Sequence, residues 1–150
     1  MSVGEICNRE VIIIDRDENI TDAARLMRKH HVGNVVVVKT ENGMTRIPVG
    51  ILTDRDIVIE LLARDVDLDA LSVGDAMSYD LLSVTEEDDV LDAIKQMRKK
   101  GVRRAPVVNA DGALVGILTE DDMVELLSEQ LSDLVALQKR EQQVERERHP

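Results

Sequence analysis

VGILTDRDIV occupies residues 49–58 and VGILTEDDMV residues 115–124, and seven of the ten positions are identical. A phrase written twice at this length marks an internal repeat, and the repeat extends outward from it. With a shift of 70 residues, Asp22, Ala23, Met27, Arg28, Lys29 and Val32 fall on Asp92, Ala93, Met97, Arg98, Lys99 and Val102. Val37 and Val38 fall on Val107 and Val108. The shift then drops to 66, because the first copy carries four extra residues around ENGMTRIP. Two copies are too few for a solenoid. They predict a pseudo-symmetric pair, in which each half covers a face that the other cannot bury alone.

Each copy has the same local pattern. A short apolar strand comes first, at Val11 to Ile14 or Leu81 to Val84. Ile20, Ala23, Ala24 and Met27, and their counterparts Val90, Ala93, Ile94 and Met97, have the spacing of a helix with one apolar face. Thr85 and Asp88 have capping-box spacing and are expected to open the second of these helices. Two strands follow around a turn: Val35 to Lys39, Asn42-Gly43, then Ile47 to Leu52. The second copy has Ala105 to Val108, Asp111-Gly112, then Leu114 to Leu118. Asn-Gly and Asp-Gly between β-branched runs are strong hairpin signals. A last helix is expected from Asp54 or Glu120. The fold class is therefore α/β (α+β), built from two strand-helix-strand-strand-helix units. Repeat 1 with its linker is assigned to residues 1–71, repeat 2 to 72–127, and a C-terminal helical extension to 128–150. SVGDAM, residues 72–77, predicts one capped helical turn. In the extension, Leu131, Leu134 and Val135 prolong an apolar face that runs out beyond Leu137, so the helix is expected to pack briefly and then fray.

Composition narrows the function. The chain has 150 residues, a net charge of −11 and one aromatic residue, Tyr79. Its core must be aliphatic, and it offers no base-stacking platform of the kind that single-stranded nucleic-acid binders use. The negative charge argues against phosphate backbones and against anionic membrane surfaces. No apolar run approaches a membrane span, and MSVGEICNREV lacks the basic and apolar segments of a signal peptide. Cys7 is the only cysteine. No internal disulfide can form, which fits a reducing, cytoplasmic setting. Cys7 and the three histidines are scattered without metal-ligand spacing. His30 and His31 stand near a helix end, where they suit the dipole. No nucleophile with a base and no Gly-rich phosphate loop is present, so no enzyme is expected.

Thr53-x-x-Asp56 and Thr119-x-x-Asp122 carry the site. Each lies where a strand gives way to a helix, and capping alone accounts for a threonine followed by a carboxylate three residues on. The same carboxylate can accept two hydroxyl hydrogen bonds from a ribose diol. Gly50 and Gly116 lack side chains, which suggests close approach of a ligand to the backbone. An acidic helix start repels phosphate, so a nucleotide's phosphates need a basic group elsewhere. Arg103 and Arg104 in GVRRAPVV supply one. The first copy has Gly33 and Asn34 at those positions.

Taken together, DxAxxxMRK in both copies (Asp22 to Lys29, Asp92 to Lys99), VRRAPVV (Val102 to Val108) and the repeated VGILT-x-x-D resemble a tandem pair of CBS domains, or Bateman module. The resemblance runs from about Val11 to Leu127. It implies two repeats packed through their sheets around a pseudo-two-fold axis, with two clefts for adenosine compounds: AMP, ADP, ATP or S-adenosylmethionine. It implies that Asp122 holds ribose hydroxyls, that Thr119 contacts ribose or phosphate, that Arg104 with Arg103 reaches phosphate, and that Ile117 lies along adenine. Asp56, Thr53 and Ile51 take those places in the other cleft, with Asn34 where the arginine would be. The opposite repeat's first strand is expected to complete each adenine pocket. The cleft pairing Asp122 with Arg104 is thus expected to bind a phosphorylated adenosine more tightly. The resemblance further implies a regulatory module that forms a homodimer and signals to a protein target in trans, without a metal. A structural or interaction module with no nucleotide, acting through dimerisation or its C-terminal helix, is the alternative.

Overall fold

The computed structural model describes residues 1–149, and the chain divides into two compact units, Met1–Leu118 and a second from Thr119 onward. The first unit has two three-stranded sheets, ordered β1-β2-β3 and β4-β5-β6. β1 (Ile13–Asp15), helix α2 (Ile20–His30), β2 (Asn34–Glu41) and β3 (Thr45–Thr53) make the first repeat, preceded by the short helix α1 (Val3–Ile6). Helix α3 (Val73–Ala76), β4 (Val84–Thr85), helix α4 (Val90–Lys100), β5 (Arg104–Val108) and β6 (Leu114–Thr119) repeat the order. In each sheet the outer strand joins parallel and the next two form a hairpin; β1 pairs with β2 through Ile13 and Val36, and β4 with β5 through Val84 and Val107. The two copies are the expected α/β units.

Local chemistry sets the boundaries. Asn42 and Gly43 both have positive φ (52° and 73°), as a tight hairpin turn with this twist requires. Asn109 closes the second hairpin, its Oδ1 accepting from the Asp111 and Ala113 backbone N–H groups. Helix α2 opens on Asn19, whose side chain accepts from the Asp22 N–H. Helix α4 opens on Asp89, whose side chain accepts from the Leu91 N–H. The expected Thr85–Asp88 box does not open α4. The Thr85 N–H donates to Asp88 Oδ2, which binds the turn ahead of the helix and leaves the cap to Asp89.

Valines 35–38 are buried without interruption because β2 is covered on both faces. Val35 and Val37 join Ile14, Ile20, Met27 and Leu52 under helix α2. Val36 and Val38 face the other way and meet Ile117, with Leu114 packed alongside, so the two sheets share a core. This contact is the face that each repeat lends the other.

A second exchange has a subtler sequence signal. Ser2-Val3-Gly4 repeats as Ser72-Val73-Gly74, so each repeat begins with its own capped turn. The Ser2 N–H donates to Glu5 and the Ser72 N–H to Asp75, each at 3.0 Å. Each turn docks on the other repeat. The Val3 and Gly4 N–H groups donate to Asp88 and Glu86 carbonyls, both at 2.8 Å. Those of Val73 and Gly74 donate to Glu18 and Arg16, again at 2.8 Å. Val73 and Met77 thereby enter the core of the first repeat.

After β3 the chain turns helical at Asp54 and passes into a π-helix over Asp56–Leu61, closed by a 3-10 turn over Leu62–Arg64. In the second unit helix α5 runs unbroken over Glu120–Arg148. The expected fraying beyond Leu137 does not occur. The residues there are mostly Glu, Gln, Lys and Arg, strong helix formers that need no packing to stay helical locally. Nor do Leu131, Leu134 and Val135 pack, for all three are exposed.

Candidate functional site

The end of β3 places Thr53 and Asp56 on one helical turn. Thr53 Oγ1 accepts from the Asp56 N–H and Asp56 Oδ2 accepts from the Thr53 N–H, each at 3.0 Å. The reciprocal pair is a complete capping box. It leaves Asp56 Oδ1, and one lone pair of Oδ2, available as acceptors, and leaves the Thr53 hydroxyl proton available as a donor. In the second unit Thr119 caps α5 in the same way, accepting from the Asp122 N–H at 3.2 Å.

Beside Thr53 and Asp56 lies a cleft of about 290 Å³. Ile51, Thr53 and Asp56 form one side; Ser78, Asp80, Leu81 and Leu82 form another; Val102, Arg103 and Arg104 complete it. The first group comes from repeat 1 and the other two from repeat 2. Segment 78–82 reaches the cleft because Ser78 bridges to Ile51, with the Ser78 N–H donating to the Ile51 carbonyl at 3.0 Å. The opposite repeat's leading segment therefore completes the wall. The cleft has apolar panels (Ile51, Leu81, Leu82, Val102), carboxylates at Asp56 and Asp80, and guanidinium groups at Arg103 and Arg104. Lys100 Nζ lies 2.7 Å from Asp80 Oδ1, which balances that carboxylate's charge.

Two expectations change here. The sequence pairs Arg104 with Asp122 and Asn34 with Asp56, because each pair belongs to one repeat. The cleft instead holds Arg103 and Arg104 with Ile51, Thr53 and Asp56. Asn34 lies directly across the ladder from Thr53 but is not among the lining residues. A cleft between two repeats draws its strand end from one and its basic edge from the other, so residues sharing a hairpin need not share a site. The glycine reading also changes. A Cβ on Gly50 would stand 2.5 Å from Met77 Sδ and 2.7 Å from the Ser78 carbonyl oxygen. One on Gly116 would stand 2.8 Å from Cys7 Sγ and 3.0 Å from the Asn8 oxygen. The space above each glycine is filled by the other repeat's leading segment, not kept for a ligand.

Cys7 is half-buried there, and burial pushes its thiol up from the ordinary value, away from the reactive thiolate. No three His, Cys, Asp or Glu side chains converge among the described residues. No described helix is long and apolar enough to cross a membrane.

The CBS domain family matches this chain twice, over residues 3–63 and 73–129. The chain belongs to the CBS domain family. An uncharacterized protein of Methanopyrus kandleri is 36% identical over 126 residues, which cover 84% of this chain and 62% of that protein, so the pair spans under two thirds of this relative. The crystal structure of Hypoxic Response Protein I with two coordinated zinc ions is 30% identical with a TM-score of 0.70, covering 83% of this chain and 98% of that one. The CBS domain pair of protein MJ0100, in complex with 5-methylthioadenosine and S-adenosyl-L-methionine, is 25% identical with a TM-score of 0.72. That match covers 87% of this chain and 98% of the other. CBS pairs of this kind are regulatory modules, and the fold of this one is theirs.

Proposed function

We propose that this CBS pair senses an adenosine compound, bound in the cleft that joins Thr53 and Asp56 to Arg103 and Arg104. The observation that carries the reading is the meeting of a ribose-type carboxylate with two arginines across the repeat boundary. Asp56 accepts from the ribose diol with the lone pairs its cap leaves over. Arg104, with Arg103 beside it, takes a phosphate through charge-assisted hydrogen bonds. Ile51, Leu81 and Leu82 give the base an apolar slot. Thr119, Asp122 and Ile117 play the same parts toward a second ligand, with Asn34 in place of an arginine. The tighter site for a phosphorylated ligand is then that of Asp56. This reverses the ranking suggested by the sequence.

The ligand is AMP, ADP, ATP or S-adenosylmethionine, no metal is required, and the module catalyses nothing. It acts in the cytoplasm as a homodimer and signals to a protein in trans. The adenosine complex of the MJ0100 pair supports this class of ligand. One observation favours the alternative of an interaction module without a nucleotide: the two capping bonds of Thr53 and Asp56 already give both residues a structural role. Capping does not require arginines on the opposite wall.

Isothermal titration of the dialysed protein with the four compounds separates the readings. Saturable binding that Asp56→Ala and Arg104→Ala both weaken supports the sensor. Silence across the panel leaves the Thr-x-x-Asp motifs as caps. With no Trp and one Tyr, carried-over adenine is also visible directly in the absorbance spectrum of the undialysed protein.

A further inference from the structure

Helix α5 presents an apolar stripe to solvent. Val124, Leu127, Leu131 and Leu134 recur at spacings of three and four, with Val135 and Leu137 on its flank, and all six are 45–64% exposed. Met123 is the only buried residue among those described in the helix. A stripe with this period is the seam of a two-helix pairing. Four seam positions make a short seam, so the charges beside it matter. Residues 120–133 hold six acidic side chains and no Lys or Arg, whereas all the basic residues of the helix, Lys139, Arg140, Arg146 and Arg148, come later.

We infer that α5 pairs antiparallel with α5 of a second copy of this chain, with Leu127 of one against Leu131 of the other. A parallel pair would set six acids against six acids. The antiparallel pair sets Val124 against Leu134 of the second copy and brings Lys139 and Arg140 to its acidic first turn, at Asp121 and Asp122. Opposite charges flanking an apolar seam fix both partner and orientation. The pairing uses surfaces separate from the adenosine cleft and does not depend on that cleft being filled.

The test uses the full chain with Cys7→Ser and Gln142→Cys, spin-labelled at position 142. An antiparallel pair centred near residue 129 puts the two labels about 40 Å apart, and a parallel pair about 10 Å, from a rise of 1.5 Å per residue. The expected result is a dimer by light scattering, with the long distance. Leu127→Glu with Leu131→Glu should reduce it to monomer, and Lys139→Glu with Arg140→Glu should weaken it roughly tenfold at low salt. These side chains are solvent-facing in the single chain, so circular dichroism should show the fold retained. A monomeric parent, a short label distance, or a dimer untouched by the leucine substitutions would each overturn the inference.

Discussion

The two repeats differ least where they hold each other and most where they face solvent or ligand. Val3-Gly4 and Val73-Gly74 dock alike, and Gly50 and Gly116 both yield their space to the other repeat's leading segment. One residue beyond that contact the copies part. Tyr79 donates its hydroxyl to the Gly74 carbonyl, whereas Arg9 donates to the Gly4 carbonyl at 2.8 Å and pairs with Glu86 at 2.6 Å. The starts of β2 and β5 part as well, with Asn34 in one and Arg104 in the other. Shared residues preserve the exchange between repeats, and the divergent ones are free to make the clefts chemically unequal.

The largest effect should come from breaking the shared part. Gly50→Ala sets a methyl against Met77 Sδ and the bridging Ser78 carbonyl, and should cost about 2–3 kcal/mol in chemical denaturation. Gly116→Ala meets its neighbours less closely, at 2.8 and 3.0 Å, and should cost less. If the two costs come out in the opposite order, the geometry above the glycines is wrong. Next comes the cap: Thr53→Ala removes the bond to the Asp56 N–H and should cost about 1 kcal/mol. Thr53→Ser should restore most of it.

A smaller change should run the other way. Helix α2 ends on His31 at φ 53°, where the equivalent position after α4 is Gly101 at φ 73°. His31→Gly relieves a left-handed side-chain residue and should raise stability by roughly 0.5–1 kcal/mol. A loss would mean that the His31 side chain makes a contact that outweighs the strain. The smallest effect distinguishes the leading turns. The Ser72 backbone N–H, followed by the Ser72 hydroxyl, holds the Asp75 carboxyl below its ordinary value. A carboxylate lowered on folding stabilises above its unfolded pKa, and that contribution is lost as pH falls through the folded one. Asp75→Asn should therefore flatten the acid limb of the stability profile slightly and change little at neutral pH. An unchanged acid limb would show that the bond is too exposed to matter.

Much of this architecture could be read from the sequence because it is encoded locally. The periods of Ile20 to Met27 and Val90 to Met97, and the turns at Asn42-Gly43 and Asp111-Gly112, specify helices and hairpins within a few residues. What escaped the sequence reading depends on contacts far apart in the chain. Ser2-Val3-Gly4 and Ser72-Val73-Gly74 are too short to stand out until they are seen docked on opposite repeats. The glycines of VGILT are explained only by Cys7 and Met77, which come from segments distant in sequence. Arg104 was assigned to the wrong Thr-x-x-Asp because strand neighbours are apparent in a sequence, whereas a cleft shared across a pseudo-two-fold axis is not. Helix α5 was expected to fray because its stripe ends, yet backbone propensity continues past the last leucine.

The central claim is that one cleft takes its ribose group from repeat 1 and its phosphate group from repeat 2. It is tested most directly by titrating AMP into the parent and into the Asp56→Ala, Arg104→Ala and doubly substituted proteins. The account predicts that both single substitutions weaken one and the same binding event, and that the double substitution removes no further site. If Arg104→Ala abolishes one site while Asp56→Ala abolishes another, the two residues serve different clefts and the account is contradicted.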